Sequence, residues 1–312
     1  MIFGTGVVSL ATLLAYGGRW SWACELLVNF RTHFAMLLGL ALVLAAVTRH
    51  WRTAAVAALG LALNLWPMYG VYFESASPPP AGARPVRVVA FNVNVRNGGL
   101  AGIAAYVDSL APDVVVFEEM TTSSADRLAL LLPRLPHRFL AIEERVRGVM
   151  VLSRWPLIAP ELVRQDGRMF GLRTDVDLGD RLLRLYGIHL NWPLFPRAAR
   201  GRRAQLLALG RELAECRGAC VAVGDFNTTP WSSHFRDLVS TSGFRNCAAG
   251  QGLLPTWPEG LPSLLRIRID HCLANAAVSV VDVRVGGSAG SDHLATVNDL
   301  SVARATHRKM PP

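Results

Sequence analysis

Apolar positions fall into two regimes along the chain. Up to about residue 73 they form long, nearly unbroken runs; beyond residue 85 they form short β-branched runs punctuated by Gly, Asp and Asn. The first regime has three runs: residues 1–16 without a charge, the Leu- and Ala-rich 34–47, and 53–73, again without a charge. A spanning helix needs roughly 20 apolar residues, so the third run suffices alone and the first two only with their flanks. None shows the polar face of a surface helix, and the first lacks the basic leader of a signal peptide. Residues 1–74 therefore predict an anchor of two or three helices in a lipid bilayer.

The short loop between the second and third runs carries Arg49, His50 and Arg52, and basic short loops stay cytoplasmic. That orientation delivers the rest of the chain to the far side of a bacterial inner membrane, an extracytoplasmic location. Arg19 and Arg31 argue the other way, less densely. Residues 75–84 hold Ser77, Pro78, Pro79 and Pro80, the composition of a stiff spacer holding a domain off the bilayer.

The second regime, residues 85–312, predicts a catalytic domain. Strands are expected at 86–93, 113–119 and 149–154, a hairpin from 169 to 190 around Gly179 and Asp180, and strands at 221–227, 268–273 and 277–285. A final strand should open at Gly290. Helices are expected at 100–110, 196–217 and 231–239. Strands outnumber the helices between them, which suggests two sheets packed face to face with helices outside. There is no solenoid repeat and no glycine-rich nucleotide loop.

Charge and cysteine change this picture little. The net charge is +9, and every basic residue but Lys309 is Arg, which favours phosphate contacts but can also reflect coding bias. The Arg-rich face of 196–217 reads as a solvated surface. Cys216, Cys220, Cys247 and Cys272 could make two disulfides in an oxidising compartment, in a pairing the sequence leaves open. No CxxC occurs, so they do not read as a zinc site.

Candidate chemistry gathers at strand ends. Phe91-Asn92-Val93-Asn94, Phe117-Glu118-Glu119, Gly187-Ile188-His189, Gly224-Asp225-Phe226-Asn227, Arg268-Ile269-Asp270 and Ser291-Asp292-His293 each close or open an apolar run with groups able to meet a cation or a phosphate. In this order they resemble the endonuclease/exonuclease/phosphatase superfamily of DNase I-like enzymes, over about residues 86 to 300. The resemblance implies a four-layer α/β/β/α sandwich, two packed mixed sheets flanked by helices, and Mg²⁺-dependent hydrolysis of a phosphodiester substrate. Mn²⁺ is a possible substitute. The substrate could be nucleic acid or a phospholipid headgroup; a silent binding module is the remaining alternative.

Phosphodiester cleavage needs a cation, donors for the phosphoryl oxygens and a base for water. Glu119 is the expected Mg²⁺ ligand, with Asn92 and Asp292 near it. Asp225 would orient or deprotonate water and Asn227 would fix it against the phosphate. His293 would act as base or donor, held in one tautomer by Asp270, and His189 would contact the phosphate or assist the leaving oxygen. Strand alternation sends Glu118 to the face opposite Glu119, where it reads as an outward structural acid. His271 reads as structural. Asn94, where some nucleases of the superfamily carry Asp, favours one-metal catalysis. Trp192, Phe195 and Trp231 most simply pack the core, though they could stack bases or dip into lipid.

Overall fold

The computed structural model describes residues 2–73, 79–143 and 148–304. Five helices come first: α1 (Ile2–Ala15), α2 (Trp22–Val28), α3 (Arg31–Val47), α4 (Trp51–Leu65) and α5 (Tyr69–Phe73). Helices α1, α3 and α4 pack on one another. Small residues let them approach: a Cβ on Gly60 would stand 2.9 Å from Leu38 Cδ1. Asn64 Nδ2 donates to Thr12 Oγ1 at 2.8 Å, a buried polar tie between α1 and α4. Trp51–Phe73 is one helix long and apolar enough to cross a membrane, and α2 with α3 makes a second only if a 63° bend lies within one span.

These helices do not hang from the domain on a spacer alone. Ala15, Val28, Met68 and Val71, at one end of the bundle, pack against Trp231 of the domain. Trp22 Nε1 donates to the carbonyl of Pro193 at 2.8 Å, and Arg19 pairs with Asp237 at 2.7 Å. Residues 74–78 of the expected spacer lie outside the described residues.

The domain opens with β1 (Arg84–Asn92), α6 (Leu100–Ser109), β2 (Val114–Met120) and α7 (Thr122–Leu131), then β3 (His137–Ala141), β4 (Gly148–Ser153), β5 (Leu157–Gln165), β6 (Arg168–Asp177) and β7 (Leu182–His189). It closes with α8 (Pro196–Ala214), β8 (Ala219–Asp225), α9 (Ser233–Ser242), β9 (Arg245–Asn246), β10 (Asp270–Ala274), β11 (Val278–Val285) and β12 (Thr296–Val302). Two mixed six-stranded sheets result, in the orders β11-β12-β1-β2-β4-β3 and β5-β6-β7-β8-β10-β9. Among the described residues only β1/β2 and β7/β8 run parallel, each pair joined by a helix crossover.

Side-chain alternation builds the four layers. Val88, Val116, Leu185 and Val223 fill the space between the sheets. Their neighbours Val89, Val115 and Phe117 meet α6 and α7, while Tyr186 and Ala222 meet α8 and α9. The expected α/β/β/α sandwich is what forms. Sequence periodicity had not indicated α7, β3 or β5, and residues 290–294 are a loop before β12 rather than the start of that strand. The cysteines pair as Cys216–Cys220 and Cys247–Cys272, leaving Cys24 free.

Candidate active site

Within β1, β2, β7, β8 and β10 the residues that face the other sheet share one parity, and at one end of the sandwich that parity runs out into polar groups. Val86, Val88 and Ala90 put Asn92 between the sheets; Leu183 and Leu185 do the same for His189, Val221 and Val223 for Asp225, and Cys272 and Ala274 for Asp270. Registry brings them together, since Asp225 is the direct partner of both His189 and Asp270. The site thus spans two sheets at the carboxyl ends of their parallel strands, where ligands of α/β sheets collect.

The same parity overturns the expectation for Glu118. With Val114 and Val116 it points between the sheets, fully buried, and neither carboxylate oxygen has a hydrogen-bond partner. Burial, with the carboxylates of Asp270 and Asp225 nearby, pushes its pKa well above the usual range. Glu119 reaches the site by another route. A bulge interrupts the β2/β4 register between Glu118 and Met120, and Glu119 takes φ +59°. Strict alternation from Glu119 sends Glu118 outward, and the bulge that reverses this leaves no mark in the sequence pattern.

Hydrogen bonds tie the set into one network. Asn92 Nδ2 donates to Glu119 Oε1 at 3.1 Å and to Asp225 Oδ2 at 3.2 Å. Glu119 Oε2 accepts from the Val95 amide at 3.0 Å. Asp225 accepts from the Asn227 amide at 2.8 Å and from its Nδ2 at 3.2 Å. His189 Nε2 stands 4.0 Å from Glu119 Oε1 and 3.9 Å from Asp225 Oδ2. His293 Nδ1 lies 3.0 Å from Asp270 Oδ2, and its Nε2 lies 3.8 Å from Asp225 Oδ2.

Gly224 is required by this crowding. At φ +133° a Cβ there would stand 2.1 Å from the Ile188 carbonyl oxygen and 2.7 Å from Glu118 Oε1.

Burial and charge set the protonation states. Desolvation raises Asp225 to about 7, reinforced by Asp270 and opposed by His293 and by the amide of Asn227. Burial works against a charged His293, but Asp270, Asp225 and Asp292 outweigh it and hold its pKa at about 10. Asp225, Asp270 and His293 offer ligand atoms within 4.8 Å of one another, a group that could hold a metal ion. His271, by contrast, is structural as expected: it is fully buried, its Nε2 lies 2.7 Å from the Thr228 carbonyl, and burial pushes its pKa well down.

Asp292 stands slightly apart. It lines a cleft of about 430 Å³ with Glu119, His189 and Asn94, while its carboxylate accepts from Asn94 Nδ2 at 2.9 Å and Trp257 Nε1 at 3.2 Å. Asn94 and Trp257, given no such role by the sequence, therefore orient it. Ser291 is a further residue missed: its hydroxyl donates to the Asn92 carbonyl at 2.7 Å and accepts from the His293 amide at 3.1 Å, linking β1 to the histidine loop. Its adjacency to Asp292 and His293 was the available signal.

Three aromatic expectations divide. Trp231 is buried, but Trp192 and Phe195 are 56% and 68% exposed, and Trp192 lines the cleft. The Arg-rich face of α8 is exposed at Arg197, Arg200 and Arg203, yet Arg202 is 1% exposed, the largest fully buried side chain among the described residues.

With this geometry in place, the chain matches the sequence pattern of the Endonuclease/Exonuclease/phosphatase family over residues 89–293, more than half its length, and it belongs to that family. All three named activities cleave phosphoester bonds, which makes the protein a phosphoester hydrolase by family. Solved structures share the fold. An endonuclease/exonuclease/phosphatase from Beutenbergia cavernae is 23% identical over 70% of this chain and 72% of its own, with a TM-score of 0.56. TDP2 from D. rerio, complexed with single-strand DNA product, is 17% identical over 69% and 98%, with a TM-score of 0.59. The 3′ phosphatase NExo from Neisseria, bound to a product DNA hairpin, is 18% identical over 68% and 98%, with a TM-score of 0.56. No curated protein sequence matches it.

Proposed function

We propose that the protein is a membrane-anchored, Mg²⁺-dependent phosphodiesterase, most simply a nuclease, that cleaves by water attack on phosphorus. The observation that carries this is the convergence of Glu119, His189, Asp225 and His293, from three strands and a loop of two sheets, into one cluster whose Glu119 and His189 line the cleft. The DNA products bound to TDP2 and NExo favour a nucleic acid.

The donors fit a hard cation. Glu119 is a quarter exposed and already oriented by Asn92 and the Val95 amide, and oxygen donors of this kind suit Mg²⁺ or Mn²⁺. Glu119, with Asn92 bonded to it and Asp292 lining the same cleft, would hold the ion, which would supply charge neutralisation for the phosphoryl group. Asp225, poised near 7, takes the proton of the attacking water as the phosphorus–oxygen bond forms and the leaving-group bond breaks. Asn227 fixes that water. His293 is protonated at neutral pH and acts as donor to a phosphoryl oxygen rather than as base, oriented by Asp270. His189, between Glu119 and Asp225, faces the leaving oxygen.

For the anchor, the support is the apolar exterior of the bundle, with Phe3, Leu40, Val47, Leu59 and Trp66 all more than half exposed. The bundle end that meets Trp231 leaves the turn with Arg49, His50 and Arg52 at the other end, on the opposite side from the domain. The rival cations are engaged: Arg19 with Asp237, and Arg31 with its guanidinium 4.2 Å from the Tyr16 ring centre. Positive-inside bias then puts the domain outside the cytoplasm, where two disulfides are at home.

A phospholipid-directed activity is the second reading, favoured by the exposed Trp192 at the cleft and Phe195 beside it. The full chain, assayed side by side on single-stranded DNA, duplex DNA, RNA, sphingomyelin and phosphoinositides, decides between the two. Faster turnover of any nucleic acid supports the first, and turnover of lipid alone contradicts it.

A further inference from the structure

Arg202 is buried in the middle of α8 with no place in the chemistry above. Its guanidinium joins two parts of the chain far apart in sequence. Nη1 donates to the carbonyl of Asn227, and Nη2 to Glu25 Oε1 of α2 at 3.2 Å. Glu25, 3% exposed, also accepts from Ser232 Oγ at 2.6 Å. That same hydroxyl caps α9, accepting from the amide of His234 at 3.2 Å. Thr229 Oγ1 donates to Asn29 Oδ1 at 3.2 Å, a second polar tie from the same turn to the N-terminal helices. All of these fall on residues 227–232, the turn that leaves the end of β8. Asn227 begins it in a left-handed conformation, φ +50°, which Asn tolerates better than most residues.

We propose that Glu25 is a positioning residue: through Arg202 and Ser232 it fixes the turn that carries Asn227, so the N-terminal helices are part of the active-site scaffold and not only its tether. This rests on the role given to Asn227 in the proposed function. The physical argument is one of charge. A buried guanidinium holds its place only while paired, and Glu25 is the carboxylate beside it. Without Glu25, Arg202 must draw in water or leave, and either way it releases the Asn227 carbonyl. A turn shifted by about an ångström costs an oriented reaction as much as 10²-fold.

The full chain in detergent, as wild type, Glu25→Gln, Glu25→Ala and Arg202→Lys, tests this by two readouts. Amide hydrogen exchange over residues 227–233 should rise in Glu25→Ala and Arg202→Lys, with 219–225 unchanged and Glu25→Gln, which keeps an acceptor oxygen, in between. In turnover, Glu25→Ala should lower kcat by about 10- to 100-fold with KM within about threefold, and should add little on an Asn227→Ala background. Unchanged exchange at 227–233, exchange raised equally through β8, or a kcat loss that adds in full to Asn227→Ala overturns the proposal. A wild-type chain that cleaves no phosphodiester refutes the proposed function instead, and the exchange data then decide the positioning of the turn alone.

Discussion

His293 is clamped to Asp270, with Nδ1 3.0 Å from Oδ2, and this leaves Nε2 aimed at the Asp225 carboxylate 3.8 Å away. Two carboxylates flank one imidazole, and their combined charge outweighs its burial to give the pKa of about 10. The histidine is therefore a cation over the whole physiological range.

Asp270→Asn removes the larger of the two carboxylate effects on His293, so its pKa should fall toward the ordinary value of about 6.5. A protonated donor is lost as pH rises through its pKa. The alkaline limb of the kcat profile should therefore move from near 10 in wild type to lower pH in the variant. At pH 8 an imidazole of pKa about 6.5 is protonated in roughly one molecule in thirty, so the rate should drop by up to about 30-fold. An unmoved alkaline limb would mean that another group sets it.

Glu118 should weaken the fold at neutral pH. Burial raises its folded pKa well above that of an unfolded, solvated carboxylate, so between those values the folded protein keeps a proton that the unfolded chain releases. Stability is greatest below the unfolded value and declines as pH rises toward the folded one. Glu118→Gln keeps the shape without the charge and should be more stable at pH 8 by on the order of 1 kcal/mol or more, with no gain at pH 4. Denaturant unfolding at the two pH values measures this. Equal gains at both would point to packing and not to titration.

Glu119→Gln keeps an acceptor at Oε1 for Asn92 Nδ2 but removes the Oε2 acceptor of the Val95 amide and the charge that would hold the cation. Activity at about 1 mM Mg²⁺ should fall by roughly 10²-fold, with partial recovery at high Mn²⁺. Titrating the ion against rate is the check, and a metal requirement identical to wild type contradicts the ligand assignment.

Much of this was legible in the chain because strand ends with polar groups keep their parity. Asn92, His189, Asp225 and Asp270 continue the inward alternation of the runs they close or open, so both the sandwich and the cluster follow from period two. Glu119 breaks that rule through a bulge with positive φ, and Glu118 obeys it; a one-residue slip in pairing leaves no mark in composition. Arg202 could not be separated from its neighbours on α8 because its partner, Glu25, stands 177 residues earlier. The pairing of four cysteines was open for a different reason, since spacing alone does not choose among their connectivities.

The central claim is that Asp225 and His293 act on a phosphodiester with a divalent cation. The most direct measurement is hydrolysis of single-stranded DNA by the full chain, with Mg²⁺ and with chelator, in wild type, Asp225→Ala and His293→Ala. The full chain is needed because removing α2 would leave Arg202 without Glu25. Mg²⁺-dependent cleavage in wild type and a loss of about 10³-fold or more in each variant is the expected result. Metal-dependent cleavage equal in all three would contradict the site.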